Sequence, residues 1–147
     1  MRFSREEIVW QEVPGEVSLA FTISGCPLAC RGCHSADTWA PGQGSLLSPA
    51  YLQQRLQQYR GLITCVLFMG GEWQPDLLSA RLQQVREAGL QTCLYTGLED
   101  VSPALKPLLT YLKTGPWQAE LGGLDSPHTN QRFVDLRTNQ CLNHHFQ

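Results

Sequence analysis

Strand-like and helix-like segments alternate along this chain, which predicts an α/β protein with βα units arranged around a mostly parallel sheet. Three observations carry that expectation. Residues 17–23 (VSLAFTI), 62–68 (LITCVLF) and 91–95 (QTCLY) are short apolar runs rich in β-branched and aromatic residues, the composition of strands buried inside a sheet. The stretches between them repeat apolar residues at helical spacing. Glycines close those helical stretches at Gly61 and Gly89, where a helix C-terminus favours them.

Taken in order, residues 7–13 read as a short strand that turns at Pro14-Gly15, and residues 17–23 as the first buried strand. Residues 24–44 form a long loop. Ser48 suits a helix N-cap with Pro49 at the first helical position, and Leu52, Leu56 and Tyr59 fall on one face of that helix. Residues 62–68 then form a strand apolar on both faces, followed by Gly70-Gly71-Glu72. Pro75 opens a second helix with Leu78, Leu82 and Val85 inward and Gly89 as its stop. Residues 91–95 are the next strand, ending in Thr96-Gly97. A helix from Ser102-Pro103 carries Leu105, Leu108 and Leu109, and Pro107 within it makes it short or kinked. Residues 111–114 and 132–136 supply the last strands. Ligands of parallel sheets bind at the C-terminal ends of the strands. The loop 24–44, Gly70-Gly71-Glu72 and Thr96-Gly97 all occupy such ends.

The 147 residues fit one domain, residues 1–147, with no internal repeat. Hydrophobic residues make up 42% and the net charge is −2, which excludes a disordered chain and a basic field that would hold nucleic acid. No apolar run reaches the ~18 residues of a membrane span. Residues 1–11 are charged and lack the apolar core of a secretory signal. The expectation is a cytoplasmic protein with no nucleic acid and no membrane partner.

The cysteines are unevenly placed. Cys26, Cys30 and Cys33 fall within one short loop, Cys65 and Cys93 lie in apolar strands and read as core, and Cys141 lies in a polar tail with His144 and His145. In a reducing compartment cysteines more often bind metal or catalyse than pair. Three readings of the loop stand open. The spacing i, i+4, i+7 is one helix face on which cysteine acts as a small hydrophobe, although Gly25, Pro27 and Gly32 oppose a helix. Zinc could be held with His34 or another cysteine as fourth ligand, although no second C-x-x-C pair is present. Three thiolates could also hold three irons of a [4Fe–4S] cluster and leave the fourth iron open for chemistry.

The C-x₃-C-x₂-C pattern after a first strand resembles the radical S-adenosylmethionine (SAM) superfamily. In wider context, Phe21-Thr22-Ile23-Ser24-Gly25-Cys26, Cys30-Arg31-Gly32-Cys33 and Thr38-Trp39 resemble the activating protein family of the anaerobic (class III) ribonucleoside-triphosphate reductase. Gly70-Gly71-Glu72 matches the glycine-rich SAM motif. Residues 121–127 (LGGLDSP) with Thr129-Asn130-Gln131-Arg132 resemble the C-terminal signature of these activases. The sequence departs from the family pattern at His34, at Glu72-Trp73 and before the first strand, where only Pro14-Gly15-Glu16 is found.

This resemblance implies a partial, open (βα) barrel of radical SAM type. It implies Cys26, Cys30 and Cys33 as ligands of a [4Fe–4S] cluster, and SAM contacts from Gly32, Cys33, His34, Gly70, Gly71, Glu72 and Thr96. Glycines let backbone approach a ligand closely, and Glu72 can accept charge-assisted hydrogen bonds from an ammonium group. The implied activity is reductive cleavage of SAM to methionine and a 5′-deoxyadenosyl radical, which makes a glycyl radical on the reductase. A flavodoxin or ferredoxin would supply the electron. Another glycyl radical enzyme or a small molecule is the alternative target, and a zinc-binding interaction module is the non-enzymatic alternative. Asn130, Gln131 and the Cys141/His144/His145 tail carry no assigned role. Trp10, Trp39, Trp73 and Trp117 are expected in packing or at a partner surface.

Overall fold

The structure, a computed structural model, describes residues 1–25 and 44–147. Cys26, Cys30, Gly32, Cys33, His34, Thr38 and Trp39 lie outside the described residues. Within them, eight strands form a single sheet: β1 (Arg2–Val9), β2 (Ser18–Ile23), β3 (Ser45–Leu46), β4 (Cys65–Met69), β5 (Gln91–Tyr95), β6 (Tyr111–Thr114), β7 (Arg132–Asp135) and β8 (Gln140–Cys141). Their order across the sheet is β3-β1-β2-β4-β5-β6-β7-β8.

The centre of the sheet is parallel and both flanks are antiparallel. β2, β4, β5 and β6 pair in parallel. β1 pairs antiparallel with β2 and with β3, while β7 returns along β6 and β8 along β7. Connection chemistry explains the change of direction. A crossover is needed to lay two strands in parallel, and helices α1 (Pro49–Gln58) and α2 (Pro75–Glu87) supply two of these crossovers. The third, from β5 to β6, uses a turn and one 3-10 turn at Lys106–Leu108. The expected helix is this short because Pro107 has no N–H to donate and its ring crowds the preceding turn.

The α1 start follows its sequence closely. The Ser48 hydroxyl accepts from the Tyr51 N–H at 3.1 Å, and Pro49 occupies the first turn. α1 buries Leu52 and Leu56, and α2 buries Leu78, Leu82 and Val85. These side chains meet Leu19, Phe21, Ile23, Val66, Phe68, Leu94 and Leu112 on one sheet face, and Leu105 and Leu109 complete that layer. Each fully buried aliphatic side chain contributes roughly 1.5–3 kcal/mol.

Among the described residues no α-helix covers the opposite face. Ala20, Cys65, Leu67, Cys93, Tyr111 and Phe133 are packed there under Val9, Val13 and Leu124, with Leu142 and Phe146 of the tail alongside. Side-chain alternation sends neighbouring residues to opposite faces. In β1 both Phe3 and Val9 are odd-numbered, yet they join different layers. The register shift between Phe3 and Arg5 inserts the extra residue that reverses the alternation.

Two strands depart from expectation by more than one residue at a boundary. The first strand runs Arg2–Val9 rather than over residues 7–13. Val13 is buried because the turn before Gly15 folds it onto the inner face, with Glu16 N–H bonded to Val13 O at 3.1 Å. β4 begins at Cys65, and Leu62 is 67% exposed after the turn at Gly61.

Candidate cofactor site

Parallel strands end at the same edge of a sheet, so the segments that follow β2, β4, β5 and β6 meet there. Ser24-Gly25 follows β2, Gly70-Gly71-Glu72 follows β4, Thr96 follows β5 and Gly115-Pro116-Trp117 follows β6. Because Thr114 pairs with Arg132, the residues before β7, Asn130 and Gln131, reach the same edge.

The cysteine-bearing residues 26–43 leave and rejoin the described chain at neighbouring points. Ser24 N–H bonds to Arg2 O and Leu47 N–H to Met1 O, both at 2.9 Å. A Cβ added to Gly44 would lie 3.0 Å from Ser24 Oγ and 2.1 Å from Phe3 O, so only glycine fits at this junction. Ser24 and Gly44, which flank that segment in sequence, are thus fastened beside the C-terminal end of β2.

Gly70 and Gly71 have φ of +96° and +107°, a region that side chains disfavour. Where a Cβ would point from Gly70, the Trp73 ring is 2.6 Å away, so the indole fills that side of the turn. The turn delivers Glu72 onto the strand edge. Thr96 is 2% exposed and its hydroxyl donates to Glu72 Oε1 at 2.7 Å. The same Thr96 oxygen accepts from Leu98 N–H at 3.1 Å, which fixes its rotamer. Glu72 Oε2 is buried and has no hydrogen-bond partner. Burial raises the Glu72 carboxyl above the usual range, while the Thr96 hydrogen bond and the Lys113 charge act against that rise. A buried carboxylate with one open oxygen is arranged to receive a cation or a donor.

Sequence reasoning did not single out Lys113. It lies at the end of β6, with Nζ 3.4 Å from Gly115 O and 5.6 Å from the centre of the Tyr95 ring. A charged residue closing an otherwise buried strand was the available signal. Gln131 is buried and its Nε2 approaches Gly115 O at 3.4 Å. Asn130 Nδ2 donates to Pro116 O at 3.0 Å, while its Oδ1 is buried and unpaired.

The other cysteines belong to the packing. Cys65 and Cys93 are fully buried on the inner face. Burial pushes the Cys65 thiol up to about 12 and that of Cys93 well above its ordinary value, so neither is a thiolate at neutral pH. Cys141 is half-buried with Sγ 3.4 Å from Asn143 Oδ1, and the His144 and His145 rings lie 4.3 Å apart. Among the described residues no group of three or more His, Cys, Asp or Glu could hold a metal ion, and no helix is long and apolar enough to cross a membrane.

The fold and edge define a class: an α/β protein with a polar, partly unsatisfied site at the C-terminal ends of parallel strands, the tricysteine motif following the first of those strands in sequence. Residues 13–113 match the family described as the 4Fe-4S single cluster domain, and the chain belongs to that family. It is also similar to the pyruvate formate-lyase-activating enzyme of Clostridium pasteurianum, with 33% identity over 89 residues, 56% of this chain and 37% of that enzyme. The chain therefore spans well under half the length of this relative.

Proposed function

We propose that the chain is a radical SAM activase that generates a glycyl radical on an anaerobic ribonucleoside-triphosphate reductase, within a partial (βα) barrel. The observation that carries this reading is the Glu72 carboxylate, buried at the strand edge with one oxygen held by Thr96 and the other open. The soft donor set fits an iron–sulfur cluster. Cys65 and Cys93 are held as buried thiols, and the C-x₃-C-x₂-C spacing of Cys26, Cys30 and Cys33 makes these three the ligands in this reading.

A cluster held by Cys26, Cys30 and Cys33 would supply one-electron reduction of the SAM sulfonium, with a flavodoxin or ferredoxin as electron source and hydrogen-atom abstraction from a partner glycine as the outcome. This chain's residues do the positioning. Glu72 Oε2 accepts from the methionine ammonium, and Thr96 holds the carboxylate in the orientation that makes this possible. The glycine backbone at 70 and 71 would form the wall along the amino-acid end, and the resemblance assigns Gly32 and His34, outside the described residues, to the nucleoside. Three exposed leucines, Leu46, Leu77 and Leu98, lie at this end of the sheet. They suit contact with a protein substrate rather than a small molecule.

The similarity to a pyruvate formate-lyase-activating enzyme favours a second target, a glycyl radical enzyme of formate-lyase type. Anaerobic reconstitution tests both. About four irons per chain and a reduced-cluster EPR signal altered by SAM are expected, and a glycyl radical signal should then develop on one of the two candidate partners. Bound zinc without sulfide, or a cluster whose signal ignores SAM, would overturn the activase reading in favour of a zinc-binding interaction module or a simple electron carrier.

A further inference from the structure

We propose that Asn130 is the acceptor that reads the nucleoside half of the ligand, at the opposite end of the strand edge from Glu72. This rests on SAM being the ligand. Among the described residues, two acceptor-only side-chain oxygens at this edge are buried without a partner, Glu72 Oε2 and Asn130 Oδ1. Native proteins leave few such atoms, because each costs roughly 1–3 kcal/mol until something donates to it.

The Asn130 amide is fixed in place. Its Nδ2 donates to Pro116 O at 3.0 Å, so a reversed amide would set oxygen against oxygen. Its backbone is clamped onto Gly115, where an added Cβ would lie 3.1 Å from Asn130 O. Gly115 has φ of +103°, so the clamp needs a glycine. A separate set of bonds holds the next residue. Asn143 Nδ2 donates to Gln131 O at 2.8 Å, and Gln131 N–H bonds to Thr129 Oγ1 at 3.0 Å. Asn130 Oδ1 is therefore a fixed, buried acceptor that none of these bonds uses.

Position and charge assign the two ends. Glu72 follows β4 and Asn130 precedes β7, three strand spacings apart in the sheet order. At ~4.8 Å per spacing the separation is about 14 Å, the scale of an amino acid joined to an extended nucleoside. A carboxylate suits an ammonium group, whereas a neutral amide oxygen suits a neutral donor. On the nucleoside those donors are the exocyclic amine of the base and the ribose hydroxyls.

The test is equilibrium binding to the anaerobically reconstituted, oxidised chain. The ligands are SAM, its analogue with the base amine replaced by oxygen, and its analogue lacking a ribose hydroxyl. Wild type should bind one analogue about tenfold more weakly than SAM. Asn130→Ala should abolish that preference and bind the discriminated pair alike, whereas Glu72→Gln should weaken all three ligands together. Asn130→Leu, closer in volume, gives the same comparison if the alanine variant fails to fold. Equal affinity of wild type for all three ligands, or a preference that survives loss of the amide, overturns the proposal. Absence of SAM binding by wild type would instead remove the functional reading itself, and the assignment of Asn130 with it.

Discussion

Thr96→Val changes the strand edge by one hydroxyl and almost no volume. Two hydrogen bonds are lost, the 2.7 Å bond to Glu72 Oε1 and the 3.1 Å bond from Leu98 N–H. A hydrogen bond to a charged group contributes roughly 1.5–3 kcal/mol and a neutral one roughly 0.5–1.5 kcal/mol. Leu98 is 39% exposed, so water can replace its bond, and the cost of the substitution is about 2–3 kcal/mol when Glu72 is ionised. Glu72→Gln keeps a neutral acceptor, so a double-mutant cycle between the two positions should show a coupling of about 1–2 kcal/mol. The coupling carries a pH signature. Burial raises the Glu72 carboxyl in the folded chain above its unfolded value. The folded state therefore binds the proton more tightly, and wild-type stability relative to Glu72→Gln is highest below the ordinary carboxylate range. It falls as pH rises through the raised value. Thr96→Val removes an interaction that opposes the shift, so the fall should move to higher pH. Anaerobic denaturant unfolding of the four reconstituted proteins from acid to neutral pH measures both effects. A coupling below about 0.3 kcal/mol, or wild-type stability that rises with pH relative to Glu72→Gln, would refute the reasoning.

Further outcomes follow from the same structure. Gly70→Ala should cost about 1–3 kcal/mol in thermal unfolding, because the added carbon meets the Trp73 ring at 2.6 Å in a left-handed backbone; adding Trp73→Ala should recover only the steric part. Leu82→Ala, at a fully buried position of α2, should cost about 2–5 kcal/mol with the cavity it leaves, measured by the same melts. Cys30→Ala should lose most of the iron on reconstitution while circular dichroism stays near wild type, whereas Cys65→Ala should keep its iron and lose stability; equal iron in both variants would remove the ligand assignment.

The sequence exposed those parts of the fold that depend on local chemistry. β5 and β6 fall where apolar composition predicts them, and the α1 and α2 starts are written in Ser48-Pro49 and Pro75. The two-residue strands β3 and β8 were not legible, because so short a pairing has no periodicity and exists only through its partner strand. Val13 misled for a related reason: an apolar residue buried by a turn reads like the end of a strand. At the edge, Glu72 and Thr96 were legible as strand-end residues, and the structure brings them into contact. Lys113 and Gly115 were not, since their nearness to Glu72 and Asn130 depends on how β6 and β7 are placed and not on spacing along the chain. The pattern for Cys26, Cys30 and Cys33 was the plainest in the sequence, and it lies outside the described residues.

The antiparallel return at β7 has a consequence for the site. A further parallel strand would need another crossover, and its preceding residues would emerge at the opposite edge of the sheet. Residues 115–131 instead run from the end of β6 to the start of β7 without regular secondary structure, and they stay at the edge where the other strands end. Thr129 Oγ1 bonds to Gly122 O at 3.0 Å, and Gln147 Nε2 bonds to Ser126 O at 3.1 Å, so this stretch is braced from within and by the tail. The same stretch places Leu124 on the inner face beside Phe133 and Phe146, doing there what helices do on the other face. One connection therefore has two roles. It closes a hydrophobic layer that has no α-helix over it among the described residues, and it brings Asn130 to the end of a line of polar groups that begins at Glu72. Substitutions in 121–131 should for that reason affect stability and ligand discrimination together; at Asn130 the stability part is confined to the Nδ2 bond to Pro116 O, while its oxygen, which has no partner among the described residues, carries the discrimination.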